Sequence, residues 1–251
     1  MMFNEVPFLD RFAAAADAGF RGVEYLFPYD FPVEALEDLL TRHNLENVLF
    51  NLPPGNWAAG ERGTTCLPGR EAEFRAGVQT AIAYATRLKT TRVHAMAGIV
   101  PPGSDPSAVQ AAYIANLKYA AAELAAHGIT LLIEAINTRD MPGFYLNTQA
   151  QSYAVMQEVG APNLKMQMDC YHMQIMEGDL AVKLKKYAAG CAHVQVAGVP
   201  ERHEPDTGEV RYPYLFELLD TLGYDGWVGC EYRPAGKTVD GLGWFRSPAT
   251  A

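Results

Sequence analysis

Short apolar runs of strand length alternate with longer stretches of helical period along nearly the whole chain, and few folds accommodate that rhythm. The runs are GVEYLFP (22–28), NVLFNLP (47–53), RVHAMAG (92–98), TLLIEAIN (130–137), LKMQMDCYH (164–172), AHVQVAG (192–198) and GWVGCEYRP (226–234). Helices are predicted between them over 6–18, stopped by Gly19, then 33–43 after Pro32, 70–88, 149–159, 180–188 and 212–222. The clearest starts after Asp105. That residue can cap it, Pro106 suits the first turn, apolar residues recur at Val109, Ala112, Tyr113, Leu117 and Leu124, and Gly128 ends it.

Regular alternation with no linker or change of composition predicts one domain over 1–251, with a parallel sheet covered by helices. An open doubly wound sheet would carry a glycine-rich phosphate loop after its first strand, and neither G-x-G-x-x-G nor G-x-x-x-x-G-K occurs. A (β/α)₈ barrel fits better. Only Met1 to Phe3 precede the first helical stretch, so the first strand is read as absent or cut short. An unfilled gap would leave two strand edges unpaired. Low stability or a longer natural product is expected from this, with about ten restored residues raising the melting temperature.

Composition excludes several classes. With 251 residues, 49% of them hydrophobic, the chain can bury a substantial core. A formal charge of -9 without a basic cluster disfavours nucleic acid as a partner. No apolar run approaches a membrane span, and the start lacks the basic-then-apolar pattern of a secretion signal. Cys66, Cys170, Cys191 and Cys230 form no C-x-x-C pair, which suits small core residues in a reducing cytoplasm. A homo-oligomer is compatible with all of this.

Within WVGCEYRP stands Glu231, a carboxylate in an apolar run. Burying such a group unpaired costs several kcal/mol, so the plain reading is an ion pair with Arg233 or a neighbouring lysine. Three further polar residues change the balance. Glu134, Asp169 and Gln195 lie toward the ends of the three preceding strand runs, and barrels of this kind place their chemistry at those ends. Three carboxylates and an amide oxygen from consecutive strands form a hard oxygen set for Mg²⁺ or Mn²⁺ rather than zinc. Without a cation, mutual repulsion would protonate one of them.

The segments LLIEAIN, MDCYHMQ, HVQVAGVPERHEP and GWVGCEYRP, with the earlier AAGERG and LPGRE stretches, resemble the hydroxypyruvate isomerases, within the wider xylose-isomerase-like barrels. The resemblance runs from Phe3 to about Phe245. It implies interconversion of hydroxypyruvate and tartronate semialdehyde, with Glu134 and Glu231 as proton carriers and a divalent metal on Glu134, Asp169, Gln195 and Glu231. The N-terminus departs from the family, which has a further strand there.

A small hydroxy-oxo acid substrate is an anion, so a cationic group is needed near the carboxylates. PERHEP supplies Arg202 and His203, though a loop arginine is as readily a solvated charge. His172 is a candidate substrate contact by likeness to sugar isomerases and epimerases. His94, His193 and Glu24 read as hydrogen-bonded strand residues, and the long 52–70 segment reads as a lid. Close alternatives are an isomerase or epimerase of a related sugar acid or ketose, such as a 2-oxo-tetronate isomerase. An apurinic-site endonuclease shares the barrel and the D-x-x-H spacing but wants more histidines and a basic face. A binding protein would not need both Glu134 and Glu231.

Overall fold

The structure, a computed structural model, describes residues 1–245. Seven strands, β1 (Gly22–Tyr25), β2 (Glu46–Asn51), β3 (Arg92–His94), β4 (Thr130–Glu134), β5 (Leu164–Asp169), β6 (Cys191–Val196) and β7 (Val228–Cys230), form one sheet. Each lies parallel to the next in chain order, giving a nearly closed barrel. The helices are α1 (Arg11–Asp17), α2 (Val33–His43), α3 (Glu71–Leu88), α4 (Pro106–Ala125), α5 (Gln149–Val159), α6 (Cys170–Met176), α7 (Leu180–Tyr187) and α8 (Tyr212–Thr221). Among the described residues none is long and apolar enough to cross a membrane.

Local signals set the helix ends. Asp105 accepts from the Ser107 main-chain nitrogen at 3.0 Å to start α4, and Thr148 accepts from that of Gln151 at 3.2 Å to start α5. The predicted helix over 6–18 resolves into a 3₁₀ turn, Phe8–Asp10, followed by α1. Strand alternation then sorts the faces. Leu131 and Ile133 of β4 join the main core with Leu117 and Leu124 of α4, while Leu132 packs with Val48 and Leu49 in a second cluster. Period two puts Glu134 on the Leu132 face, inside the barrel.

All seven predicted strands run past the observed ones at their C-terminal ends, and two of these overruns bear on the site. The run over 164–172 stops as a strand at Asp169, whose carboxylate accepts from the Tyr171 main-chain nitrogen at 2.8 Å and so caps α6. The last run keeps only Val228–Cys230 as strand, leaving Glu231 immediately beyond it. Both changes move a carboxylate from a strand interior to a strand end.

The edges of β1 and β7 meet through side chains. A Cβ at Gly22 would lie 3.0 Å from the Trp227 ring, and one at Gly229 would lie 2.4 Å from the Glu24 carboxylate, so a side chain at either position would have to displace its neighbour. Phe3 packs with the Val23 side and Met2 with Cys230 and the Tyr232 cluster. The Phe3 main-chain nitrogen donates to Thr238 at 2.7 Å.

Candidate active site

Glu134 ends β4, Asp169 ends β5 and Glu231 follows β7, so parallel pairing carries three carboxylates to one end of the barrel. Together with His172 they offer ligand atoms that all lie within 4.8 Å of one another. Glu134 and Asp169 are buried, and Oε1 of Glu134 has no hydrogen-bond partner. Burial, then the charges of Glu231 and Asp169, hold the Glu134 carboxyl well above the usual carboxylate range. Asp169 is pushed up to about 7, chiefly by burial, with Arg202 opposing and Glu231 adding to the shift.

Arg202 is no solvated loop charge. It is 8% exposed, its Nη2 stands 2.9 Å from Glu231 and 3.3 Å from Asp169, and its guanidinium lies 4.7 Å from the Tyr171 ring centre. Its backbone is left-handed, with φ +61°, a conformation that costs a non-glycine residue about 1 to 3 kcal/mol. The loop is pinned in that shape because the Arg202 nitrogen donates to Gly198, Gly198 to His203, and Arg233 to the Arg202 carbonyl. His203 does not join the cluster. Its Nδ1 donates to the Arg233 carbonyl at 2.8 Å.

Gln195 lies beside Asp169 in the strand register. Its amide nitrogen donates to Glu24 at 2.8 Å, and its oxygen accepts from Gln167 at 2.6 Å. Glu24 also receives His193 at 2.6 Å. Burial alone would raise the Glu24 carboxyl, but the His193 ring and these hydrogen bonds leave it below its ordinary value. Sequence reading treated Glu24 as a separate strand group at the mouth; no local signal ties it to residues about 170 positions away. Asn137 and Asp140, on the connection after β4, were missed as well. Asn137 holds the His172 ring and Asp140 receives the Tyr171 hydroxyl at 2.9 Å. The 52–70 segment is organised by Glu61 and Arg70, with Arg62 stacked 3.8 Å from the Trp57 ring centre. A cavity of about 600 Å³ separates part of it from residues 99–108.

The donor set fits a hard divalent cation. Three carboxylates against one guanidinium leave a formal charge of -2 when all are ionised, and Oε1 of Glu134 is left without a hydrogen bond. A cation must displace protons from the raised carboxyls, so affinity for Mn²⁺ is expected to rise as pH climbs through the neutral range. Calorimetry in buffers of different ionisation enthalpy should register proton release on binding near pH 7. Affinity flat from pH 6 to 8 would contradict it.

A family model described as xylose isomerase-like TIM barrel matches residues 12–247. A 2-oxo-tetronate isomerase of Cupriavidus necator is 58% identical, covering 98% of this chain and 95% of its own. The hydroxypyruvate isomerase of Escherichia coli is 48% identical, over 98% of this chain and 95% of its own. A crystal structure from Brucella melitensis, described as an AP endonuclease of family 2, superposes with a TM-score of 0.96 at 54% identity, covering 97% of this chain and 94% of that one.

Proposed function

We propose, from the premise that this chain belongs to the xylose isomerase-like TIM barrel family, that it is an isomerase of short hydroxy-oxo acids. The observation that carries the reading is the convergence of Glu134, Asp169 and Glu231 at one barrel end with the buried Arg202 among them. Moving a carbonyl between C2 and C3 requires removal of a proton from the hydroxyl-bearing C3, an enediolate, return of a proton to C2, and transfer of the hydroxyl proton from the C3 oxygen to the C2 oxygen. Two carboxylates can divide that work, each contributing roughly 10² to 10⁴ in rate. Glu231 serves one carbon and Glu134 the other. Arg202 offers its guanidinium to the substrate carboxylate, and the His172 ring lies beside Asp169 and Glu134 in the same cluster.

Glu134, Asp169, Gln195 and Glu231 would hold Mg²⁺ or Mn²⁺, which supplies an electrophile for the substrate's paired oxygens. Nuclease chemistry suits the cluster less well, because only one histidine stands among its four residues and the chain carries a net charge of -9.

Hydroxypyruvate and 2-oxo-tetronate undergo the same proton transfer and differ by one hydroxymethyl group. The relative at 58% identity is named for the four-carbon acid and that at 48% for the three-carbon acid, which supports 2-oxo-tetronate as the better substrate. Turnover of both acids with Mg²⁺ or Mn²⁺ present should give the higher kcat/KM for 2-oxo-tetronate. Failure to isomerise either would overturn the proposal.

A further inference from the structure

We propose that Asn137 is a positioning residue that fixes His172 as the neutral Nε2–H tautomer, making that ring a hydrogen-bond donor to substrate rather than a metal ligand. The inference rests on the isomerase reading for its catalytic consequence, but its geometry stands alone. Asn137 follows β4 by three residues, and its main-chain nitrogen lies 3.3 Å from His172 Nδ1. A main-chain N–H can only donate. Nδ1 must therefore carry a lone pair, and an imidazole without a proton there carries it on Nε2.

The Asn137 side chain says the same thing independently. Its Oδ1 accepts from the Asp140 main-chain nitrogen at 2.7 Å, which settles which end of the amide is oxygen. The other end, Nδ2, then lies 2.6 Å from His172 Nδ1 and donates to Asp140 Oδ2 at 3.2 Å. Asp140 is held in turn by the Tyr171 hydroxyl at 2.9 Å. Two donors thus converge on one ring nitrogen, and an imidazolium is excluded along with the other neutral tautomer.

The consequence falls on the carboxylate cluster. His172 Nε2 stands 3.6 Å from Asp169 Oδ2 and 3.9 Å from Glu134 Oε1, beyond a good hydrogen bond to either. Its proton is directed to the carboxylate cluster, and on the isomerase reading it is left for a substrate oxygen. A nitrogen bearing that proton has no lone pair for a cation, so His172 drops out of the four residues whose atoms converge. A neutral N–H suits an oxygen on which charge grows as the enediolate forms.

The test is long-range ¹H–¹⁵N correlation of the metal-free protein labelled at its six histidines, with His172 assigned from the His172→Gln spectrum. The expected spectrum has Nδ1 unprotonated and Nε2 protonated. Asn137→Asp replaces the closer amide donor, at 2.6 Å, by a carboxylate that outweighs the longer 3.3 Å main-chain donor, and should move a proton onto Nδ1, lowering kcat by about tenfold or more with a smaller change in KM. A wild-type ring unprotonated at Nε2, or protonated at both nitrogens, overturns the proposal, as does an Asn137→Asp spectrum unchanged from wild type. Should that variant not fold, the wild-type spectrum decides alone. Because no substrate is present, inactivity toward every hydroxy-oxo acid would count against the isomerase reading without touching the tautomer.

Discussion

Glu231→Gln is expected to lower turnover by roughly 10² or more while the protein stays folded and substrate affinity changes less. Glutamine keeps the length of the side chain and an oxygen for Arg202, which stands 2.9 Å from the carboxylate, but it cannot accept a proton. The side chain is 19% exposed, open enough for a substrate to reach. An ion pair with no catalytic part predicts the reverse pattern: lower thermal stability with turnover per folded molecule near wild type. Melting curves and kcat measured on the same preparation separate the two. The carboxylate that interrupts WVGCEYRP does pair with an arginine, but with Arg202 from the preceding loop, which brings Asp169 into the same contact.

Arg202→Leu should have the largest effect on stability. It removes the cation shared by Asp169 and Glu231 and leaves two neighbouring carboxylates facing each other, one of them fully buried. Breaking a buried pair from one side costs about 3 to 5 kcal/mol. Partial exposure of Glu231 and protonation of Asp169 should hold the loss near the lower figure, a fall in melting temperature of roughly 6 to 12 °C. Mg²⁺ or Mn²⁺ should recover part of it by supplying charge to the same oxygens. A solvated loop arginine would instead shift stability by no more than about 0.5 kcal/mol. Calorimetric scans with and without metal distinguish these outcomes.

Much of the barrel is written in periodicity. The α4 boundaries follow from Asp105, Pro106 and Gly128, and the order of the seven strands follows from their alternation with helices. The limits of the strands were less legible, because an apolar run such as MQMDCYHM does not say where extended backbone gives way to helix. Asp169 decides it by capping α6 with the same side chain that faces the cluster, so one residue ends the strand and aims His172. Glu134, Asp169 and Glu231 could be found from sequence because each lies at or just past a strand end.

The surrounding contacts could not be found that way. VPERHEP offers Arg202 as a cation for the substrate on even terms with a solvated charge, and only the hydrogen bonds among Gly198, His203 and Arg233 show it folded inward onto Asp169 and Glu231. Glu24 reaches His193 and Gln195 across the barrel, and Asn137 meets His172 35 residues on. The Glu24 contacts depend on closure of the sheet and the Asn137 contact on the pairing of β4 with β5, neither of which local composition encodes.

The most direct measurement is isomerisation of 2-oxo-tetronate and hydroxypyruvate in deuterated water with Mg²⁺ or Mn²⁺, following the label by NMR. Proton transfer through Glu134 and Glu231 predicts solvent deuterium on the carbon that receives the proton, with incorporation falling in step with turnover in Glu231→Gln. Isomer formed without solvent label in both proteins, or label entering at the parent rate in Glu231→Gln, would contradict the account.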